Sequence, residues 1–354
     1  MGFATRKTAR VHNIVGLEIE PGRVTAAEVS INGVIQLTRA ATCELPFGVV
    51  RDGEIADVDA VRAALKQLWS EHKGLGKEVR IGVANAKIVV RTVDVPPVTN
   101  PAEIDAVVRQ VAADELPMPM ESSVLDYEPI GIVETPQGHR QRVVLIAARR
   151  VMVDAVLAAV VGAGLKPRGV DLSAFAMIRV LGAGRPDSAL YLSIGGVANL
   201  VVVVDGVCTF TRVTGAGIEG MNIELAERRG LTLEQARKWL RHVGLERPTE
   251  EIEGDEELIA DARVVLTEGT RRLATEVRAS LEFHATQNAA GAELERAVLT
   301  GAAVGVAGFA EAFSRELGIP VETRTVAAAT DVVAADDLAG MTVAAGLAVE
   351  EVSA

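Results

Sequence analysis

The feature that most constrains this chain is an internal repeat. Residues 14–20 (IVGLEIE), 23–31 (RVTAAEVSI) and 34–43 (VIQLTRAATC) are strand-like runs, separated by Pro21-Gly22 and Asn32-Gly33. Asn-Gly between two such runs is a two-residue hairpin signal, so the three segments read as an antiparallel meander. About 175 residues later the plan returns in 188–195 (SALYLSIG), 198–204 (ANLVVVV) and 207–213 (VCTFTRV), with Asp205-Gly206 at the second turn. Helical sequence follows each meander. Residues 57–73 carry Val58, Val61, Leu65 and Leu68 on one face, with Asp57 or Asp59 at the start; Ile218 to Leu240 and Asp255 to Gln287 follow the second meander. Two α/β halves of similar design are the expectation.

Between the repeats lies a different unit. Residues 79–84 (VRIGVA) read as a buried strand and 88–95 (IVVRTVDV) as a strand closed by Pro96-Pro97. Asn100 before Pro101, with Glu103 beyond, suits a helix start, and Leu116-Pro-Met-Pro119 stops that helix after about Glu115. Strand-like 123–133 and 141–148, joined by Thr135-Pro-Gln-Gly138, precede a helix over Asp154–Gly162. Residues 85–150 therefore read as a β-α-β-β insertion. Beyond the second half, a strand at 295–300, a helix at 305–317, an edge strand at 320–325 and a helical tail at 340–352 are predicted.

Composition removes several classes of function. Lys and Arg number 36 against 48 Asp and Glu, a net charge of −12, with no long basic stretch. Such a chain is poorly suited to nucleic acid or anionic lipid. Phe, Trp and Tyr number 7, 2 and 2, too few for base-stacking platforms. Cys43 and Cys208 lie far apart, and His12, His72, His139, His242 and His284 lack partners at metal-ligand spacing, so neither a disulfide framework nor a His/Cys metal centre is expected. The acidic run 250–257 lacks the register of a calcium loop and reads as a solvated connection. Ser173 and Thr214 have no evident His–acid partner. The basic residues 1–13 lack the apolar region of a signal peptide, and the longest apolar and Gly run, Ala155 to Leu165, is too short to cross a bilayer. A soluble cytoplasmic protein without direct membrane insertion is expected.

Five stretches carry a resemblance across nearly the whole chain, about residues 12–352. They are Val15-Gly-Leu-Glu-Ile19 with Ala26-Ala-Glu28; Val93-Asp-Val-Pro-Pro97 through Glu115-Leu-Pro-Met-Pro119 and Leu125-Asp-Tyr127; Leu192-Ser-Ile-Gly195 with Asn199-Leu200; Glu276 to Gln287; and Leu299-Thr-Gly301 through Gly308-Phe309 to Pro320. In these the chain resembles the PilM family, actin-like proteins of type IV pilus machines, and more distantly FtsA. The second stretch is the most specific, because it is similar to the small subdomain that the family inserts. The resemblance implies an α/β, actin-like ATPase (ribonuclease H-like) fold, with two facing halves, a nucleotide cleft and an inserted small α+β subdomain. The implied divisions are 12–84 (1A), 85–165 (the inserted 1C), 166–215 with 292–330 (2A), 216–291 (2B), and a C-terminal helix over 335–354 returning to the 1A side.

The same resemblance implies ATP and Mg²⁺ as cofactors and a set of nucleotide-binding positions. Gly16, Glu18, Gly22 and Arg23 belong to the first phosphate hairpin, with Glu18 placed for Mg²⁺. Gly195, Gly196 and Asn199 belong to the second, Glu219 and Lys238 lie toward ribose and base, and Gly301, Ala302 and Ala303 form the adenosine loop. Glu18 and Ser193 stand at the positions concerned with hydrolysis. Several residues depart from the family pattern. Glu20 puts a charged side chain where bare backbone should meet phosphates, Thr25 replaces a lysine, Ser193 replaces a second aspartate, and Ala302-Ala303 replace two glycines. The expectation is a cytoplasmic scaffold with a degenerate cleft and weak or absent hydrolysis, held at the inner face of the membrane through its partner. Implied partners are the N-terminal cytoplasmic peptide of a PilN-like inner-membrane protein and other pilus platform proteins, with self-association left open. The peptide groove would be walled by 88–95, 101–115 and 116–119, with Met118 and Met120 as adaptable surface. Two alternatives stand beside this: an active actin-like ATPase or kinase, which favours carboxylates at both 18 and 193, and an FtsA-like filament protein, which needs a basic amphipathic tail that residues 346–354 do not supply.

Overall fold

The computed structural model describes residues 14–349 apart from 99, 117, 137, 183–187, 216, 288–293, 295 and 330–331. The basic N-terminal stretch, His12, residue 137 in the Thr135–Gly138 turn and the end of the expected tail helix lie outside the described residues.

Strands β1 (Val15–Glu20), β2 (Arg23–Ile31) and β3 (Ile35–Glu44) form the first antiparallel meander. Glu20 pairs with Arg23, leaving Pro21-Gly22 as a tight turn with Gly22 at φ +81°. The next turn differs from the sequence expectation. Ile31 pairs with Ile35, so Asn32-Gly33-Val34 is a three-residue loop with Gly33 at φ +78°. One left-handed glycine suffices for such a loop, so Asn-Gly does not by itself fix its length. A small hairpin of β4 (Val50–Arg51) and β5 (Glu54–Ile55) precedes α1 (Val58–Glu71). The Asp57 carboxylate caps α1 by accepting from the Ala60 N–H at 2.9 Å, and the helix buries Val61, Leu65 and Leu68. Strand β6 (Glu78–Val83) then runs parallel to β1.

Strand β7 (Val89–Val95), helix α2 (Pro101–Glu115) and strands β8 (Ser123–Thr135) and β9 (Gly138–Arg149) build the inserted module, a sheet in the order β7-β9-β8. It has its own core, in which Val93 and Val95 meet Val108, Ala112, Leu116, Val143 and Leu145. Helix α3 (Arg150–Gly162) leads back to β10 (Lys166–Leu172) and α4 (Ser173–Leu181). Here a boundary is corrected. Sequence reading assigns 166–215 to the second half, yet β10 pairs with β6 at the edge of the first sheet, whose order is β10-β6-β1-β2-β3-β16, β16 being Ala327–Ala328. The segment KPRGVDL has little apolar alternation, and its Pro167 and the register shift before Gly169 suit an edge strand. Strand β16 likewise returns to β3, although 292–330 was expected in the second half.

The second meander comprises β11 (Ala189–Ile194), β12 (Ala198–Val204) and β13 (Val207–Thr214). Its turn Asp205-Gly206 has both residues at positive φ, +51° and +78°, as the sequence requires. The expected single helix over 218–240 is two, α5 (Ile218–Arg229) and α6 (Leu233–Val243). Gly230 at φ +65° ends the first, and a Thr232–Gln235 capping box starts the second. Helix α7 (Glu256–Gln287), strand β14 (Ala297–Thr300), helix α8 (Phe309–Leu317) and strand β15 (Val321–Thr323) complete a sheet in the order β13-β12-β11-β14-β15. Helices α9 (Ala335–Leu338) and α10 (Thr342–Leu347) close the described chain.

Helix α10 packs between the first sheet and α4. It fits because glycine stands at each close approach: a Cβ on Gly16 of β1 would lie 1.8 Å from the Ala344 oxygen, and one on Gly346 would lie 1.9 Å from the Ala176 oxygen. Both obstacles are backbone and cannot rotate aside. Gly16→Ala is therefore expected to lower unfolding free energy by about 3 kcal/mol, read from denaturant midpoints. Gly220→Ala on α5, where a Cβ meets open space, should be neutral or slightly stabilising in the same assay.

Candidate functional site

Side chains alternate along β1, so Gly16, Glu18 and Glu20 share the face opposite Val15 and Leu17. Gly16 is spent on α10, as described, and does not line the cleft. Glu18 is 6% exposed, cross-strand from the buried Thr25. Burial pushes its carboxyl well above the usual range; neighbouring Glu20 pushes the same way and Arg23 opposes. Glu20 is also raised, chiefly by burial, against the opposing pull of Arg23 and of two backbone N–H groups, those of Gly196 and Val197.

Those N–H groups belong to the turn of the second hairpin, Gly195-Gly196-Val197 between β11 and β12. The two hairpin turns meet directly. A Cβ on Gly195 would stand 2.6 Å from a Glu20 carboxylate oxygen, and one on Gly196 would stand 2.5 Å from the Pro21 carbonyl oxygen. A Cβ on Gly217, just ahead of α5, would stand 2.3 Å from the Gly195 carbonyl oxygen. These glycines are required by backbone packed on backbone.

Beside this junction opens a cleft of about 480 Å³, lined by Glu20, Gly22, Arg23, Gly195, Gly196, Glu219, Lys238 and Ala302 among the residues anticipated from sequence, and by Glu44, Glu234, Arg237, Arg241 and Asp337 among others. The organising cation is Arg237 of α6, which sequence reading missed. Its Nη2 and Nε donate to Glu219 Oε1 and Oε2 at 2.6 and 3.1 Å, and its Nη1 lies 2.6 Å from Glu44 Oε1 at the end of β3. Glu219 is buried and accepts a further bond from Asn222 at 2.8 Å. Lys238, the expected ligand, lies outward and pairs with Glu234 at 2.6 Å. Helical phase was the available signal. Ala236, Leu240 and Val243 face the core, so residue 237 flanks that face and residue 238 turns away from it. Arg241 pairs with Asp337 at 2.8 Å, and Arg23 donates to the Gly340 carbonyl at 3.3 Å.

Several anticipated residues lie elsewhere. Ser193 and Asn199 are paired across β11 and β12 and are buried. Asn199 lines a separate cavity of about 250 Å³ with Val83, Asn85 and Arg212, and its Oδ1 has no hydrogen-bond partner. Gly301, at φ +94°, packs against the backbone of Ile194, and Ala303 is fully buried in the second core. Of the adenosine-loop positions only Ala302 lines the cleft. Among the described residues no group of three or more His, Cys, Asp or Glu side chains is placed to hold a metal ion. Cys43 lines the cleft, and burial pushes its thiol up to about 11, so it stays protonated at neutral pH.

Two outcomes follow. Arg237→Ala strands the buried Glu219 carboxylate and should cost about 3 kcal/mol in denaturant unfolding; Arg237→Lys, lacking the fork, should restore only part of it. For Glu18, the folded protein keeps a proton that the unfolded chain releases near the ordinary value of 4.5. Stability should therefore fall as pH rises from 4.5 through the raised value, and Glu18→Gln should flatten that descent.

Comparison with known proteins places this geometry. A family model described as type IV pilus assembly protein PilM matches residues 16–351. A solved PilM-PilN type IV pilus biogenesis complex contains a chain 27% identical, with 95% of this chain and 97% of that chain covered and a TM-score of 0.76. The ethanolamine utilization protein EutJ from Carboxydothermus hydrogenoformans is 16% identical, with 95% and 88% covered and a TM-score of 0.56. MreB 5 of Spiroplasma citri bound to AMPPNP is 13% identical, with 96% and 95% covered and a TM-score of 0.52. The last two likenesses are of fold alone and make it actin-like. Among the described residues no helix is long and apolar enough to cross a membrane. The chain belongs to the family of type IV pilus assembly proteins PilM.

Proposed function

We propose that this protein is a scaffold of the type IV pilus assembly platform that binds the N-terminal cytoplasmic peptide of a PilN-like inner-membrane protein. The observation that carries the reading is the likeness to the PilM-PilN complex, which runs through 95% of this chain and takes in the inserted module. Through that partner the protein would sit at the inner face of the membrane.

The peptide would lie between the first half and the inserted module. The apolar faces of β7 and α2, expected as groove walls, are largely used against each other in the module's core. What remains is a half-buried rim of Met118, Met120, Leu125 and Tyr127. Methionines on such a rim adapt to an incoming chain, while an extended peptide satisfies its own backbone on a free sheet edge. The outer strands β7 and β8 are the edges of the three-stranded sheet, and the Arg142–Asp94 fork, at 2.8 and 2.9 Å, ties β9 to β7.

Nucleotide turnover is no part of this reading. The fold implies ATP with Mg²⁺ in the cleft, where a bound nucleotide would bias closure of the halves. The residues present do not fit that cargo. The carboxylate of Glu20 lies on the second turn, residue 193 is a serine, and the cleft's cations are engaged by its own acids and carbonyls.

Calorimetric titration with a PilN-type N-terminal peptide tests the proposal. Saturable binding in the micromolar range is expected, and Met120→Lys should weaken it tenfold or more, about 1.4 kcal/mol. Absence of binding at high micromolar peptide overturns it.

A further inference from the structure

We infer that Glu20 is an internal anion seated where a nucleotide's phosphates would meet the second hairpin, so that the chain closes its own cleft and excludes polyphosphate ligands. This deepens the degenerate-cleft reading proposed above and rests on it.

The first support is the partner set of the carboxylate. Consecutive backbone N–H groups at a glycine turn form an anion-binding concavity. Here the Glu20 carboxylate lies against that turn, its oxygens 2.6 and 2.8 Å from where a Cβ on Gly195 would stand, and the Gly196 and Val197 N–H groups favour its charged form. The concavity therefore already holds an anion that is tethered to the chain and cannot diffuse away.

The second support is space. A phosphate-binding cleft of this design needs a gap between its two turns. The Pro21 carbonyl oxygen would stand 2.5 Å from a Cβ on Gly196, and Glu20 oxygens 2.6 and 2.8 Å from one on Gly195. The turns are packed to the limit that glycine permits. A phosphate chain could enter only by parting them and expelling Glu20.

The third support is a latch across the same line. Arg237, from the second half, holds Glu219 of its own half and Glu44 of the first, and its Nη2 lies 3.5 Å from the Gly22 oxygen. The guanidinium thus bridges the halves beside the closed turns. A nucleotide would bring like charge against Glu20 and Glu219 while finding Arg237 already forked.

The test is titration of the full chain with ATP and Mg²⁺, comparing wild type with Glu20→Gly and Glu20→Gln. Wild type should show no saturation up to about 1 mM. Glu20→Gly, which vacates the concavity and restores bare backbone, should bind about thirtyfold more tightly or better, in the tens of micromolar. Glu20→Gln keeps the shape and removes the charge, so it should gain less than Glu20→Gly; it also serves should the glycine variant fail to fold by circular dichroism. Wild-type binding below about 100 µM, or no gain in a folded Glu20 variant, overturns the inference. The PilN-type peptide is titrated into the same preparations. Loss of peptide binding alone counts against the scaffold reading, and tight wild-type ATP binding alone counts against the internal anion.

Discussion

At the centre of the molecule two hairpin turns touch, Pro21-Gly22 from one half and Gly195-Gly196 from the other, with the Glu20 carboxylate lying against the second turn. Much of the surrounding structure is arranged around that meeting. The residues there are small or backbone-only because side chains would separate the halves. Arg237 stands next to it because the buried Glu219 carboxylate would otherwise lack a counter-charge. A guanidinium suits this place, since its planar fork satisfies both Glu219 oxygens and leaves a further nitrogen for Glu44.

Away from this line the molecule is built from separate cores. The first sheet packs with α1, α3 and α4, the second with α5 to α8, and the inserted module keeps a small core of its own. Tyr191, Val201 and Val203, on the first-half face of the second sheet, belong to the first core. The halves are therefore joined by apolar packing as well as by the ionic latch. The module is joined by the chain crossings into β7 and from β9 into α3, and its Val90, Val124, Ile146 and Ala148 pack against the first core.

Most of the architecture was legible from sequence, because alternation, turn dipeptides and caps act locally. Asp205-Gly206 and Asp57 behave as their local chemistry dictates. What escaped depended on distant partners. Lys166–Leu172 shows no strand pattern of its own, since as an edge strand it is stabilised by β6. The break at Gly230 was hidden by helix-forming residues on both sides, Glu227-Arg228-Arg229 before it and Leu233-Glu-Gln-Ala236 after it. Gly22, Arg23, Gly195, Gly196, Glu219, Lys238 and Ala302 line one cleft, while Gly16, Asn199, Gly301 and Ala303 are drawn elsewhere by packing. A motif aligned by residue type does not reveal which glycine serves a ligand and which serves a neighbouring helix. Glu20 was read as an obstacle to phosphate; that it lies against the second turn appears only when the two halves are brought together.

The position of α10 bears on how the chain is made. Gly16 and Ala344 touch, yet 327 residues of chain lie between them, and β16 likewise joins the sheet only after residue 326 has been built. On a ribosome the first meander emerges early with one face uncovered. It cannot be sealed until residues 327–347 arrive. The inserted module, whose contacts are mostly its own, is free to fold in the meantime. The half that is synthesised first is thus completed last.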